Sequence, residues 1–180
     1  MKLIDWADKQ PGDIGFVRNR GLTSDLIALA ERMMHPGPRS FVPSHVFVVG
    51  YLGKVIEAEL NESEDSVAAV NDASKYDHLP TRLYRIQRTA EQTSMAVDSY
   101  VKRYGPGGYG WMNLIGFALD AVAHRLGDAD ACNLIRHSYV CSQSGLLFLR
   151  EPAAETWPWS MKIRDCDPLG LLLACEANAG

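Results

Sequence analysis

The chain has 180 residues, 47% hydrophobic and 22% charged, which suits one domain with its own core and makes disorder an unlikely default. Its net charge is −4 and no block of Lys or Arg occurs, which argues against nucleic acid as the main partner, because binding phosphates needs a clustered basic surface. The opening MKLIDWADKQPGD has no apolar h-region, so no secretory signal is visible, and the longest helix-like apolar stretch, WMNLIGFALDAVAH, is interrupted by Asp120 and His124 and too short to span a bilayer.

PGDIGFV gives a turn and then a short strand over Ile14 to Val17. TSDLIALAERMM predicts a helix capped by Thr23 or Ser24, with Leu26, Leu29, Ala30, Met33 and Met34 on its inward face. HPGPRSFVP is a loop, since its prolines break any ladder. SHVFVVG and KVIEAEL read as two strands joined by Tyr51-Leu52-Gly53, a hairpin. From Asn61 to Pro80 the chain is polar and irregular, with one short strand expected at Val67 to Val70; TRLYRIQ is a further strand.

AEQTSMAVDSYVKRYG is a helix capped by Thr89, and GPGGYG a flexible connection. The next helix has an apolar face of Trp111, Leu114, Ile115, Ala118, Leu119 and Val122. DPLGLLLACEA places Asp167 as N-cap and Pro168 at the first helical position, with Leu169, Leu172 and Leu173 facing inward. Hairpins imply antiparallel pairing, so the fold class is α+β: an antiparallel sheet packed against helices in a single domain over residues 1–180.

Four cysteines occur, Cys132, Cys141, Cys166 and Cys175, with no C-x-x-C pair and no His cluster at zinc-finger spacing, so free thiols and no metal or cofactor are expected. Cys141, in HSYVCSQSG, sits at the border of an apolar run. It is either a small buried side chain or a nucleophile in the first turn of a helix over Ser142 to Leu149. In the second case the helix dipole favours the thiolate, and first-turn N–H groups can hold an oxyanion.

A thiol nucleophile needs a base, and the candidates are His35, His45, His78, His124 and His137. His35 and His78 lie in loops without fixed geometry, His124 near a helix end, and His137 on an irregular approach to Cys141. His45 begins a strand with two apolar faces, where a polar ring needs a partner. With a three-residue loop Gly50 pairs with Lys54, which puts both Glu57 and Glu59 on the face of His45; a two-residue loop would reverse this. Either carboxylate would orient the imidazole and stabilise its cation.

PGDIGFV, SHVFVVG with KVIEAEL, and YVCSQSG, in that order, resemble the circularly permuted branch of the NlpC/P60 papain-like superfamily, the YiiX/YebB-like and lecithin-retinol-acyltransferase-like group. The resemblance runs from Pro11 to about Leu149, through Gly12-Asp13-Ile14, Ser44-His45-Val46, Val55-Ile56-Glu57-Ala58 and Tyr139 to Gln143. This chain departs from the pattern at Val140, inserted before Cys141, and at Gln143, where Glu is usual.

The resemblance implies a permuted papain-like fold and a catalytic triad of Cys141, His45 and Glu57, selecting Glu57 over Glu59. Tyr139, Ser142 and Gln143 are implied as substrate-binding residues. It further implies a hydrolase of amide bonds, with a peptide, including a cell-wall peptide, or an acyl compound as substrate. The Asn-Cys-Glu-His block of the acyltransferase subgroup is absent, which makes acyl transfer or thioester cleavage the second choice; a binding or virion structural module is a third. The expected setting is the cytoplasm, a phage particle or release by lysis.

Overall fold

The structure, a computed structural model, describes residues 1–59, 66–104, 141–151 and 166–179. In chain order these form β1 (Lys2–Ile4), β2 (Ile14–Val17), α1 (Leu22–Met34), β3 (His45–Val49), β4 (Lys54–Glu59), β5 (Ser66–Asp72), β6 (Thr81–Arg85), α2 (Ala90–Tyr104), α3 (Cys141–Leu149) and α4 (Pro168–Ala177). Short 3-10 turns cover Trp6–Asp8 and Ala73–Tyr76. The six strands make one sheet in the order β1-β6-β2-β3-β4-β5, with every pairing antiparallel. The fold class is therefore α+β. The expected helix over Trp111 to Val122 lies outside the described residues.

The β3–β4 hairpin has the register that a three-residue loop dictates. Val49 faces Val55, Val48 faces Ile56, and the Gly50 amide donates to the Lys54 carbonyl at 2.9 Å. Gly53 takes a φ of +70°, which a residue without Cβ adopts freely. Side chains alternate from that register. Val46, Val48, Ile56 and Ala58 join Ile14 and Phe16 under the helices, while Phe47, Val49 and Val55 join Val17, Leu83, Ala73 and Tyr76 on the opposite face. There the Phe47 ring stacks on Tyr76 at 4.6 Å between centroids. Phe47 also lies across Gly15, where an added Cβ would stand 2.1 Å from its ring.

Helix α3 supplies the centre of the larger core. Leu146, Phe148 and Leu149 are fully buried, each a contribution of roughly 1.5–3 kcal/mol. The helix comes close to the sheet at Gly145, where a Cβ would stand 2.7 Å from Val46 Cγ1. In α2 the Thr89 hydroxyl accepts from the Gln92 amide at 3.1 Å and the Gln92 side chain accepts from the Thr89 amide at 2.9 Å, a reciprocal cap. Asp167 caps α4 as its sequence predicts, accepting from the Gly170 amide at 2.5 Å.

Some elements differ from expectation. α1 starts after Gly21 with no side-chain cap, and its buried residues are Ala28 and Glu31. Leu26 and Leu29, expected inward, are more than half exposed, as is Leu22. The reason is the partnership of Glu31 described below, which turns the other face of the helix inward. β5 runs from Ser66 to Asp72, longer than the strand expected at Val67 to Val70, because it pairs along β4 across a bulge. β1 adds an edge strand beside β6. In α4, Leu171 is fully buried and Leu173 only partly so.

Candidate active site

His45 is the first residue of β3, opposite Val17 of β2. The hairpin register puts Glu57 on the same face, one diagonal step from the ring. His45 Nε2 stands 2.5 Å from Glu57 Oε2. Of the two glutamates left open by the strand pattern, Glu57 is thus the one bonded to the imidazole. An ionised carboxylate only accepts, so Nε2 carries the proton and donates. In the neutral ring that leaves Nδ1 without a proton, and the Cys141 sulfur lies near enough to the ring to favour its charged form.

Glu57 is 1% exposed, and such a buried carboxylate needs compensation. Three further groups provide it. Asn71 Nδ2 donates to Oε1 at 3.0 Å, Lys75 Nζ stands 2.6 Å from Oε1, and the Tyr76 hydroxyl donates to Oε2. Burial alone would push the carboxyl up; His45, Lys75 and Tyr76 together hold it down at about 2. Burial likewise works against charge on His45, but the Cys141 sulfur and then Glu57 outweigh it and raise the imidazole to about 10. The arrangement favours an imidazolium at neutral pH, clamped between a sulfur and a carboxylate.

Asn71, Lys75 and Tyr76 are residues that the sequence reading missed. Asn71 sits opposite Val55 in β5, on the face of Glu57, so the register of that strand would have exposed it. Lys75 and Tyr76 lie in the 3-10 turn that follows.

Cys141 is the first residue of α3, one position earlier than expected, and so keeps its place in the helix's first turn. It is 3% exposed, not open at a cleft. Ser142 and Gln143, implied as substrate-binding, are buried too. The Ser142 hydroxyl is committed to the Cys166 carbonyl at 2.6 Å, and the Cys166 thiol donates to the Ser142 carbonyl at 3.3 Å, which ties the start of α3 to the start of α4. Tyr139, His124, His137 and Cys132 lie outside the described residues. His78 is exposed. Cys166 and Cys175 are buried free thiols whose pKa values are pushed up by that burial.

His35 departs from its expected lack of fixed geometry. Its Nε2 stands 3.1 and 3.0 Å from the two Asp167 oxygens. Glu31, one turn earlier on α1, accepts from the Leu169 amide at 3.1 Å and is hydrogen-bonded to Asp167. Burial and the neighbouring Asp167 push Glu31 well above the usual carboxylate range. Asp167, although burial works against its charge, is held low by His35, Glu31 and the Gly170 amide.

No helix among the described residues is long and apolar enough to cross a membrane. No protein-family model matches the chain, and neither does any curated protein or solved structure.

Proposed function

We propose that this chain is a cysteine hydrolase of amide bonds, with Cys141 as nucleophile, His45 as acid and base, and Glu57 as the residue that orients His45. One observation carries the reading: a mostly buried imidazole bonded to a carboxylate through Nε2, with the sulfur of a helix-start cysteine near enough to favour its charged form. A histidine satisfied only by a structural ion pair would not need a cysteine there as well. The order His45, Glu57, Cys141 along the chain is that of the permuted papain-like superfamily, and the antiparallel sheet backed by the cysteine-bearing helix is compatible with that fold.

The mechanism follows from the groups present. The Cys141 thiolate, paired with the His45 imidazolium, attacks the acyl carbon. Charge develops on the carbonyl oxygen at the start of α3, where backbone N–H groups have no intrahelical acceptor. His45 then gives its proton to the departing amine. A water enters, loses a proton to His45, and attacks the thioester, releasing the acid and restoring the thiolate. Glu57, fixed by Asn71, Lys75 and Tyr76, holds the ring's tautomer and orientation throughout. The proposed substrate is a peptide amide, with the peptide bonds of cell-wall peptides as the first class to assay.

The test is hydrolysis of a panel of peptide amides, including γ-D-glutamyl peptides, by the wild type and Cys141→Ala. Turnover lost in the variant supports the reading. Turnover that survives Cys141→Ala, or a folded wild type inert toward the panel and toward thiol-directed substrate analogues, overturns it.

A further inference from the structure

Behind Cys141 the structure holds a set of ligating groups that the proposed hydrolysis does not use, and we propose that Glu31, His35 and Asp167 bind one divalent cation of zinc's class. Each offers one ligand atom, and these atoms lie within 4.8 Å of one another. Glu31 and His35 stand four residues apart at the end of α1, one turn of helix, and so share a side of it. Asp167 comes from the other direction, as N-cap of α4.

Glu31 and Asp167 are both buried, and the imidazole of His35 is bonded to the two oxygens of Asp167. A divalent cation held between the two carboxylates would offset the cost of ionising both of them out of water. Their backbone partners, the Leu169 amide on Glu31 and the Gly170 amide on Asp167, take one lone pair each and leave others free. Those amides fix the carboxylates' orientation, as outer partners of metal ligands do.

The donor chemistry selects the class of ion. One imidazole nitrogen with two carboxylate oxygens suits zinc and its first-row neighbours, while calcium and magnesium prefer oxygen alone. At bond lengths of about 2.0–2.2 Å, ligand atoms around a tetrahedral ion stand roughly 3.3 Å apart. His35 Nε2 is already 3.0 Å from an Asp167 oxygen, while the full set, spread over as much as 4.8 Å, would have to draw in around the ion. His35 is also the accessible member, its side chain 27% exposed, and provides the route inward. The ion would bridge α1 to α4 next to Cys166, whose carbonyl holds Ser142 in the first turn of α3. It would fix the helix that carries Cys141 without touching substrate.

The experiment titrates the full chain with Zn²⁺, and separately with Co²⁺, in a Cys141→Ala background, so that the proposed nucleophile cannot capture the metal. One equivalent of Zn²⁺ should bind and, at a hundredfold excess over Kd, raise the thermal midpoint by about 5–10 °C, reversibly with EDTA. The Co²⁺ form should show d–d bands with no sulfur charge-transfer band. Glu31→Gln and, separately, the milder His35→Ala at a partly exposed position should each weaken binding at least about tenfold while circular dichroism stays unchanged. Absence of binding, binding indifferent to both substitutions, or a thiolate charge-transfer band would each overturn the site. The outcome is independent of whether the wild type cleaves amides.

Discussion

Glu57 Oε2 and His45 Nε2 stand 2.5 Å apart, and the carboxylate has three other partners of its own. The carboxylate is thus fixed by its other partners, and a ring that rotated away would give up its bond to a buried charge. Replacing Glu57 by Gln should keep the shape and remove the charge. We expect the His45 pKa to fall, followed by NMR of the ring, and amide turnover to drop by about 10²–10⁴. A His45 titration unchanged in Glu57→Gln would contradict the role given to the carboxylate.

Stability should depend on pH through the same pair. Glu57 is held at about 2, against 4.5 without its partners, so its contribution is present above pH 4.5 and is lost as pH falls toward 2. His45 is raised from 6.5 to about 10, so its contribution is complete below pH 6.5 and is lost as pH rises through 6.5 to 10. Asp167, held low by His35 and Glu31, adds to the acid limb. Glu31, raised above its ordinary value, favours the folded state less as pH rises above 4.5, so urea midpoints should peak at about pH 4.5–5 and decline on both sides, and Glu57→Gln should flatten the acid limb without abolishing it.

Thiol reactivity should separate Cys141 from the other described cysteines. Burial pushes the Cys166 and Cys175 thiols up, and neither has an imidazole beside it among the described residues. Iodoacetamide at pH 6 should modify Cys141 ahead of both, read by peptide mass mapping. On the proposed reading, His45→Ala should slow that modification at least about tenfold, because the sulfur then loses the imidazole that would take its proton. Equal rates at the three positions, or no effect of His45→Ala, would count against the nucleophile.

Gly145→Ala tests how α3 is seated. The new Cβ would stand 2.7 Å from Val46 Cγ1, a stiff β-branched side chain, and 3.2 Å from Ile14 Cδ1. Overpacking of this kind costs about 1–3 kcal/mol, against a gain of roughly 1 kcal/mol in helix propensity. We expect a net loss in urea midpoint, with slower Cys141 labelling as the helix moves off the sheet. A more stable variant with unchanged labelling would show that the close approach does not position Cys141.

The features legible in the sequence were those set by local chemistry. The loop Tyr51-Leu52-Gly53 fixed the hairpin register, and with it the face that His45 shares with Glu57. Asp167-Pro168 announced the start of α4, and the Thr89 cap that of α2. What stayed hidden depends on partners far along the chain. Leu26 and Leu29 give α1 an apparent inward face, yet Glu31 takes that place because it bonds the Leu169 amide, 138 residues away. His35 looked free for the same reason. Asn71, Lys75 and Tyr76 lay in a polar segment whose strand is visible only once it is paired with β4.

Two of the three proposed catalytic groups sit in one hairpin, twelve residues apart, while the third arrives on a helix much later in the chain. Local contacts of that kind close early and at small entropic cost, whereas docking of α3 must wait for the rest of the sheet. A chain still emerging during synthesis therefore holds a base and its carboxylate with no nucleophile. Cys141 reaches its place beside His45 only when Gly145 has settled against Val46 and Ile14. On the proposed reading, chemical reactivity is a late property of the folded state, and an incomplete or misfolded copy should be inert.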